Sequence, residues 1–287
     1  MATLRDIKRR IASVRSTQQI TKAMKMVAAA KLRKAQNRLL STRPYAYEME
    51  EVLRHVSARL HGEKHPLLET RKINTVLYVL VTADKGLCGA FNSNLIRRCR
   101  SEWADNPARH KLLITIGRKG YEFFRRRDWS LTSSTIDLFH HLEFPHARTI
   151  AAQLIDLYRE KKVDQVLVVY NEFKTAVQQK IVVEQLLPIR PSAPENPKRY
   201  PVGFIFEPHP KKILDQLCPL NLNMQMWRIL LESNTSEFGA RMTAMESASE
   251  NAEDMIKELV LFYNKTRQST ITNELNEIVA GANALRG

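Results

Sequence analysis

No run of about 18 apolar residues occurs anywhere in the 287 residues, so no helix of this chain is expected to span a bilayer. The opening stretch, Met1 to Arg10, is charged and lacks the apolar core of a secretory signal. The expected setting is therefore cytoplasmic, or the cytoplasmic face of a membrane. Cysteine is scarce: Cys88, Cys99 and Cys218 are odd in number and fit no zinc spacing, so they read as buried or incidental thiols. Proline is absent before Pro44 and after Pro219. Since proline breaks helix interiors, both ends are free to run as uninterrupted helices. Aromatic residues are missing from Met1 to Pro44, which removes the stacking platform that single-stranded nucleic acid favours. GxGxxG and GxxxxGK[ST] are missing too, so neither common phosphate fingerprint is present.

What is present is a core-forming 44% of apolar residues, enough to exclude general disorder. Net charge is +15, and it is unevenly placed. Met1 to Arg43 holds 12 Lys or Arg against one acid, whereas Arg228 to Gly287 holds 6 against 9. A basic end and a mildly acidic end can attract each other.

Each end carries helical periodicity. Thr3 and Asp6 form a capping-box variant at the start. Leu4, Ile7, Ile11 and Val14 follow a three-four-three spacing, the mark of a coiled-coil seam. The stripe shifts around Ile20, Met24 and Val27, then resumes at Ala28, Leu32, Ala35 and Leu39. Near the other end, Met242, Met245, Ala252, Ile256, Leu259 and Tyr263 share one face. After a slip near Thr270, a second stripe runs through Ile271, Leu275, Ile278, Ala282 and Leu285. Glu253 and Lys257 form a favourable i,i+4 pair, while Gly239 is a weak spot worth about 1 kcal/mol. Thr3 to Thr42 and Leu220 to Arg286 are the helical spans, roughly 60 and 100 Å at the helical rise. Rods of that length need a partner, and each is the other's nearest candidate.

The middle reads as an α/β domain. Val76–Val81, Leu112–Ile116 and Val166–Tyr170 are continuous apolar strands. Helices fall at Asn92–Trp103, through Tyr121 and Phe124, and at Ala147–Lys161. This alternation predicts a parallel sheet. Residues 177–187 and 202–206 could add strands, and the five prolines from Pro188 to Pro201 predict a loop. The expected organisation is an N-terminal helix over 1–60, an α/β domain over 70–210 and a C-terminal helix over 211–287.

Candidate chemistry is sparse. Thr82 to Gly89 (TADKGLCG) is a glycine turn after a strand, read as structural through Gly86, Leu87, Cys88 and Gly89, with phosphate binding as the alternative. No nucleophile elbow surrounds Cys88. His140, His141 and His146 with Glu143 match no metal spacing, so no metal site is expected. Met24, Met26, Met242 and Met245 read either as core or as an adaptable surface. The basic first helix leaves a nucleic-acid-binding coiled coil as an alternative function.

Three stretches say more. IASVRSTQQITKAMKMVAAAKLRKAQ (Ile11–Gln36), TADKGLCGAFN (Thr82–Asn92) and the span from Ser236 (SEFGARMTAMES) to Leu285 resemble, in order, the signatures of the γ subunit of F-type ATP synthases. The resemblance runs from end to end. It implies an antiparallel coiled coil of the two end helices and a central Rossmann-like domain that binds no nucleotide. It implies a rotor inside a ring of α and β subunits, one copy per ring, standing on the membrane c-ring beside the ε subunit. Ion flow, of protons or sodium, would turn it and drive ATP synthesis; hydrolysis would turn it back. No cofactor is expected on this chain, and ATP or ADP with magnesium would sit on the α and β partners. The resemblance assigns rotor–stator coupling to Met24, Arg241, Gln268 and Thr272, with Arg267 and Glu274 beside them. It turns Lys22, Lys25, Lys31 and Arg33 toward acidic loops of β. It seats Ile271, Leu275, Ile278 and Leu285 in an apolar bearing. No catalytic residue and no nucleic-acid partner are implied. The expected location is peripheral, on the cytoplasmic face of a bacterial plasma membrane, because no transit peptide precedes the first signature. No cysteine-bearing insertion interrupts the middle, so no thiol switch is expected.

Overall fold

The computed structural model describes residues 3–59, 65–190 and 210–284. Two helices dominate: α1 (Leu4–Arg59) and α5 (Pro210–Ala284). Between them lie β1 (Thr75–Val81), α2 (Phe91–Asp105), β2 (His110–Ile116), α3 (Arg118–Phe124), β3 (Leu131–Thr135), α4 (Phe144–Arg159), β4 (Gln165–Phe173) and β5 (Gln179–Leu187). The chain forms two compact units, one joining the stretch up to Ala28 with that from Met242 onward, the other Ala29–Arg241.

In the first unit α1 and α5 run antiparallel. Ser249 Oγ donates to Thr21 Oγ1 at 2.7 Å, and Lys25 Nζ meets Glu246 Oε1 at 2.5 Å, so numbers rise on one helix as they fall on the other. The predicted start is present, with Thr3 and Asp6 bonded reciprocally at 3.2 Å. The predicted shift of the stripe is not. The seam keeps its three-four spacing through Ile7, Ile11, Val14, Gln18, Thr21, Lys25 and Ala28, all buried or half-buried. Ile20 and Val27 lie outside it, 57% and 56% exposed. Counting apolar residues alone skipped the polar members of the seam. On α5 the same spacing runs Met242, Met245, Ser249, Ala252, Ile256, Leu259, Tyr263, Thr266 and Thr270, and there it stops. With Thr21 level with Ser249, Leu4 comes level with Thr266, where α1 begins. Every side chain from Ile271 to Asn283 is exposed.

The second unit is built on a sheet of order β3-β2-β1-β4-β5. Its first four strands are parallel, and β5 folds back antiparallel on β4. Strands β1, β2 and β4 match the apolar runs, because a sheet covered on both faces wants continuous apolar sequence. The segment 177–187 does supply a strand, β5. β3 (LTSST) was not legible: it is an edge strand, half-buried at alternate residues, with a polar sequence. Residues 202–206 and most of the proline-rich loop lie outside the described residues.

Both long helices pass through the prolines expected to bound them, Pro44 and Pro219. A proline inside a helix costs about 3 kcal/mol, which burial can outweigh. Leu39, Ala46, Leu53 and Val56 are buried on α1 around Pro44. Ser41 Oγ and Thr42 Oγ1 donate to Arg38 O at 2.9 and 2.8 Å just before it. From Asn221 to Glu237 every residue of α5 except Asn223 is buried. A helix buried all round needs neighbours on several sides, and α1, β4 and β5 supply them. Within this stretch Glu232, fully buried, accepts from Arg43 Nε and Nη2 at 2.7 and 2.8 Å and from Phe173 N at 2.8 Å. One turn earlier, Arg228 grips Glu184 at 2.6 and 2.9 Å and donates to Tyr170 Oη at 3.1 Å. Gly239, read as a weak spot, has a packing reason: a Cβ there would stand 2.8 Å from Ala176 O in the β4–β5 turn.

Candidate functional site

The turn after β1 is built by its own side chains. Thr82 Oγ1 accepts from Gly120 N at 2.9 Å, and Thr82 N donates to Ile116 O at 2.8 Å, tying β1 to the start of α3. Gly117 is obligatory there: its φ is 95°, and a Cβ would stand 2.1 Å from Thr82 O. Asp84 is a hub rather than a free acid. Its Oδ1 accepts from Arg118 N and Asp137 N, both at 2.9 Å, and its Oδ2 from Phe139 N at 3.2 Å. Ala83 N donates to Asn92 Oδ1 at 2.9 Å, and Asn92 Nδ2 points at Cys88 Sγ at 3.2 Å. Leu87 and Gly89 turn the chain with φ of 63° and 57°. Gly86, Leu87, Cys88 and Gly89 thus form one tight turn between the anchored residues Asp84 and Asn92. Burial pushes the Cys88 thiol above its ordinary value, the reverse of what a nucleophile needs.

Arg241 locks that loop to α5. Its Nη2 donates to Gly86 O at 3.1 Å, and its Nη1 pairs with Glu237 one turn back. Burial holds the Glu237 carboxyl above its usual range, against the pull of Arg241. A cleft of about 390 Å³ opens here, lined among others by Lys31, Lys34, Arg38, Lys85, His140 and Arg241. Arg38 is engaged, donating to Leu142 O at 3.0 Å and lying over the Trp227 ring. Lys31 lies 5.8 Å from the Phe238 ring centre. His140 and His141 are exposed beside this cleft, while His146 caps α4 by accepting from Glu143 N at 3.2 Å. Among the described residues no group of three His, Cys, Asp or Glu could hold a metal, and no helix is long and apolar enough to cross a membrane.

The residues assigned by resemblance fall into separate groups. Lys31, Arg33, Arg241 and the turn belong to the second unit; Met24, Lys22, Lys25 and the C-terminal positions belong to the first. Met24 is half-buried beside the seam, and Met26 is exposed. Lys22 and Arg33 are exposed, whereas Lys25 is tied to Glu246. Arg267, Gln268, Thr272 and Glu274 are exposed, and Thr272 Oγ1 donates to Gln268 O at 2.9 Å. Ile271, Leu275 and Ile278 are exposed, the last 67% so. Leu285 lies outside the described residues. Sequence reasoning missed Asp84, Asn92 and Glu237. The first two sit inside the TADKGLCGAFN stretch and were available; Glu237 looks like any surface acid on a helix until the fold buries it.

A family model described as ATP synthase matches residues 3–285. The ATP synthase gamma chain of Chlorobaculum tepidum is 47% identical over the whole of both chains, and that of Prosthecochloris aestuarii 48%. Among solved structures, the central stalk and c-ring of the Tetrahymena thermophila mitochondrial ATP synthase contains a chain 30% identical, with a TM-score of 0.62 over 80% of this chain and 99% of that one. A chain of the Euglena gracilis mitochondrial enzyme, 22% identical, has a TM-score of 0.67 over 98% and 94%, a likeness of fold. None of these relatives supports the nucleic-acid-binding alternative. With the antiparallel helix pair, the α/β unit and the matching turn all in place, the chain belongs to the ATP synthase gamma chain family.

Proposed function

We propose that the chain is the central rotor of an ion-driven ATP synthase, coupling ion flow through a membrane ring to ATP synthesis or hydrolysis on surrounding α and β subunits. The observation that carries this reading is the end of α5. Ile271, Leu275 and Ile278 stand exposed on a helix that has outrun its partner, and such an apolar surface calls for a protein wall. Lys22, Lys31 and Arg33 offer exposed positive charge that suits acidic loops of β, with Lys25 shared with Glu246. The chain has no catalytic role of its own; ATP, ADP and magnesium belong to the partners. Each shaft angle favours one set of β conformations by differential contact energy, which is how a rotor biases sites it does not build. Membrane association is peripheral, through the c-ring with the ε subunit alongside, on the cytoplasmic face in a bacterium.

Reconstitution with α and β subunits tests the reading. The expected product is a hexamer holding one copy of this chain, with ATPase activity that depends on it; absence of that complex contradicts the proposal. Replacing Met24 by Lys puts a charge on the half-buried side of α1 and is expected to lower ion pumping per ATP more than assembly. Normal pumping in that variant removes Met24 from the coupling set.

A further inference from the structure

Two ion pairs, each joining a buried partner (Glu232, Arg228) to a half-buried one (Arg43, Glu184), lie where the long helices of the second unit meet the sheet. Glu232 on α5 binds Arg43 on α1 through two bonds and the backbone N–H of Phe173 on β4, while Arg43 Nη2 also donates to Phe173 O at 2.7 Å. Arg228, one turn away on α5, binds Glu184 on β5 through two bonds, and Tyr170 on β4 donates to Glu184 at 2.6 Å. Four elements are thereby tied through one turn of one helix. We propose that these two pairs are the shear-resistant joint through which torque passes between the sheet and the helix pair, a positioning role that rests on the rotor reading above.

Direction is the physical reason. Apolar contacts are individually weak and non-directional, so an apolar seam resists a small sideways displacement less steeply than bonds of fixed geometry do. The forked pair of Arg43 Nε and Nη2 with the two Glu232 oxygens fixes distance and angle together, so a small slide breaks both bonds, while Arg228 spans both Glu184 oxygens from Nη2 alone. Burial keeps water from replacing the bonds as they stretch. Stability alone does not account for charge at these positions, since buried pairs can often be exchanged for apolar side chains of similar volume without loss. What such an exchange removes is resistance to shear. The second observation is the crowding at Gly239, where α5 approaches the β4–β5 turn too closely for a side chain and the same surfaces are keyed by shape.

The test uses the reconstituted complex of this chain with α and β, the ring fixed to a surface and the rotor held by a non-hydrolysable nucleotide. A load is attached through Arg126→Cys, an exposed position in the turn between α3 and the edge strand β3, and rotational stiffness is read from the angular fluctuations of the load. The double variant Arg43→Met with Glu232→Met is expected to assemble and hydrolyse ATP as the parent does, yet to lose stiffness by up to about twofold, since one of two parallel ties is gone. Arg43→Lys keeps the charge without the fork and is expected to fall between the two. Unchanged stiffness in either variant overturns the joint, and should the double variant fail to assemble, Arg43→Lys alone decides. Failure of the rotor reading looks different, because the parent chain itself would then form no hexamer.

Discussion

Glu237 is a carboxylate nearly closed off from water, and Arg241 is its counter-charge. Removing one partner of a buried pair leaves the other charge uncompensated. Arg241→Ala is therefore expected to cost about 3 kcal/mol in urea unfolding, with much of it recovered when Glu237→Gln is added. Independent, additive losses would show that the pair is not coupled. His65 provides a pH-dependent counterpart. Its Nδ1 accepts from Leu67 N at 3.2 Å and its Nε2 faces Asp215 at 3.4 Å, with Arg159 and Lys211 also acting on it. Burial is the largest effect and pushes the imidazole below its ordinary 6.5. The folded state thus resists the proton that the unfolded chain accepts. This contribution to stability is full above the unfolded value and is lost as pH falls through it toward the folded value. Between about pH 7.5 and pH 5.5 the parent is expected to lose more stability than His65→Asn, which keeps an acceptor but does not titrate. Parallel curves would contradict this.

Whole elements obey burial more than local propensity. Pro44 sits inside α1, where it removes a helix N–H and crowds the preceding turn. Pro44→Ala is expected to stabilise the chain by up to about 3 kcal/mol, read as a higher urea midpoint; a lower midpoint would mean that the helix depends on the proline. The polar layer of the first unit works in the opposite sense. Thr21, Ser249 and Lys25 occupy seam positions that apolar residues would fill more stably, with Glu246 beside the seam as the partner of Lys25, and polar seam residues hold register at a cost in stability. Thr21→Val with Ser249→Ala is expected to raise the melting temperature, and a fall would show the hydroxyl pair to be net stabilising. These elements also mark where sequence was readable. β1, β2 and β4 were legible because burial on both faces demands unbroken apolar runs. β3 was not, since an edge strand needs no apolar sequence, and the helix ends were not, since tertiary burial carried α1 and α5 across their prolines. The seam was half legible: its spacing showed, but its polar members did not. The Thr82–Asn92 turn was found by its residues, while its closure by Arg241 depends on a contact 155 residues away that no local pattern carries.

At the scale of the molecule, every described side chain of α5 beyond Thr270 is exposed, from Ile271 to Asn283. Removing residues 271–287 is therefore expected to leave the melting temperature of the isolated chain unchanged while lowering the yield of hexamer with α and β. A large drop in melting temperature would mean that the tip packs within the chain. The same contrast, between what the chain satisfies by itself and what it leaves open, underlies the rotor reading. The most direct measurement is made on single complexes with the α/β ring fixed and a visible probe on this chain. On adding ATP the probe is expected to turn continuously in one direction. A chain that assembles into an active ring yet stays still, or only fluctuates about one angle, would contradict the proposal that it is the rotor.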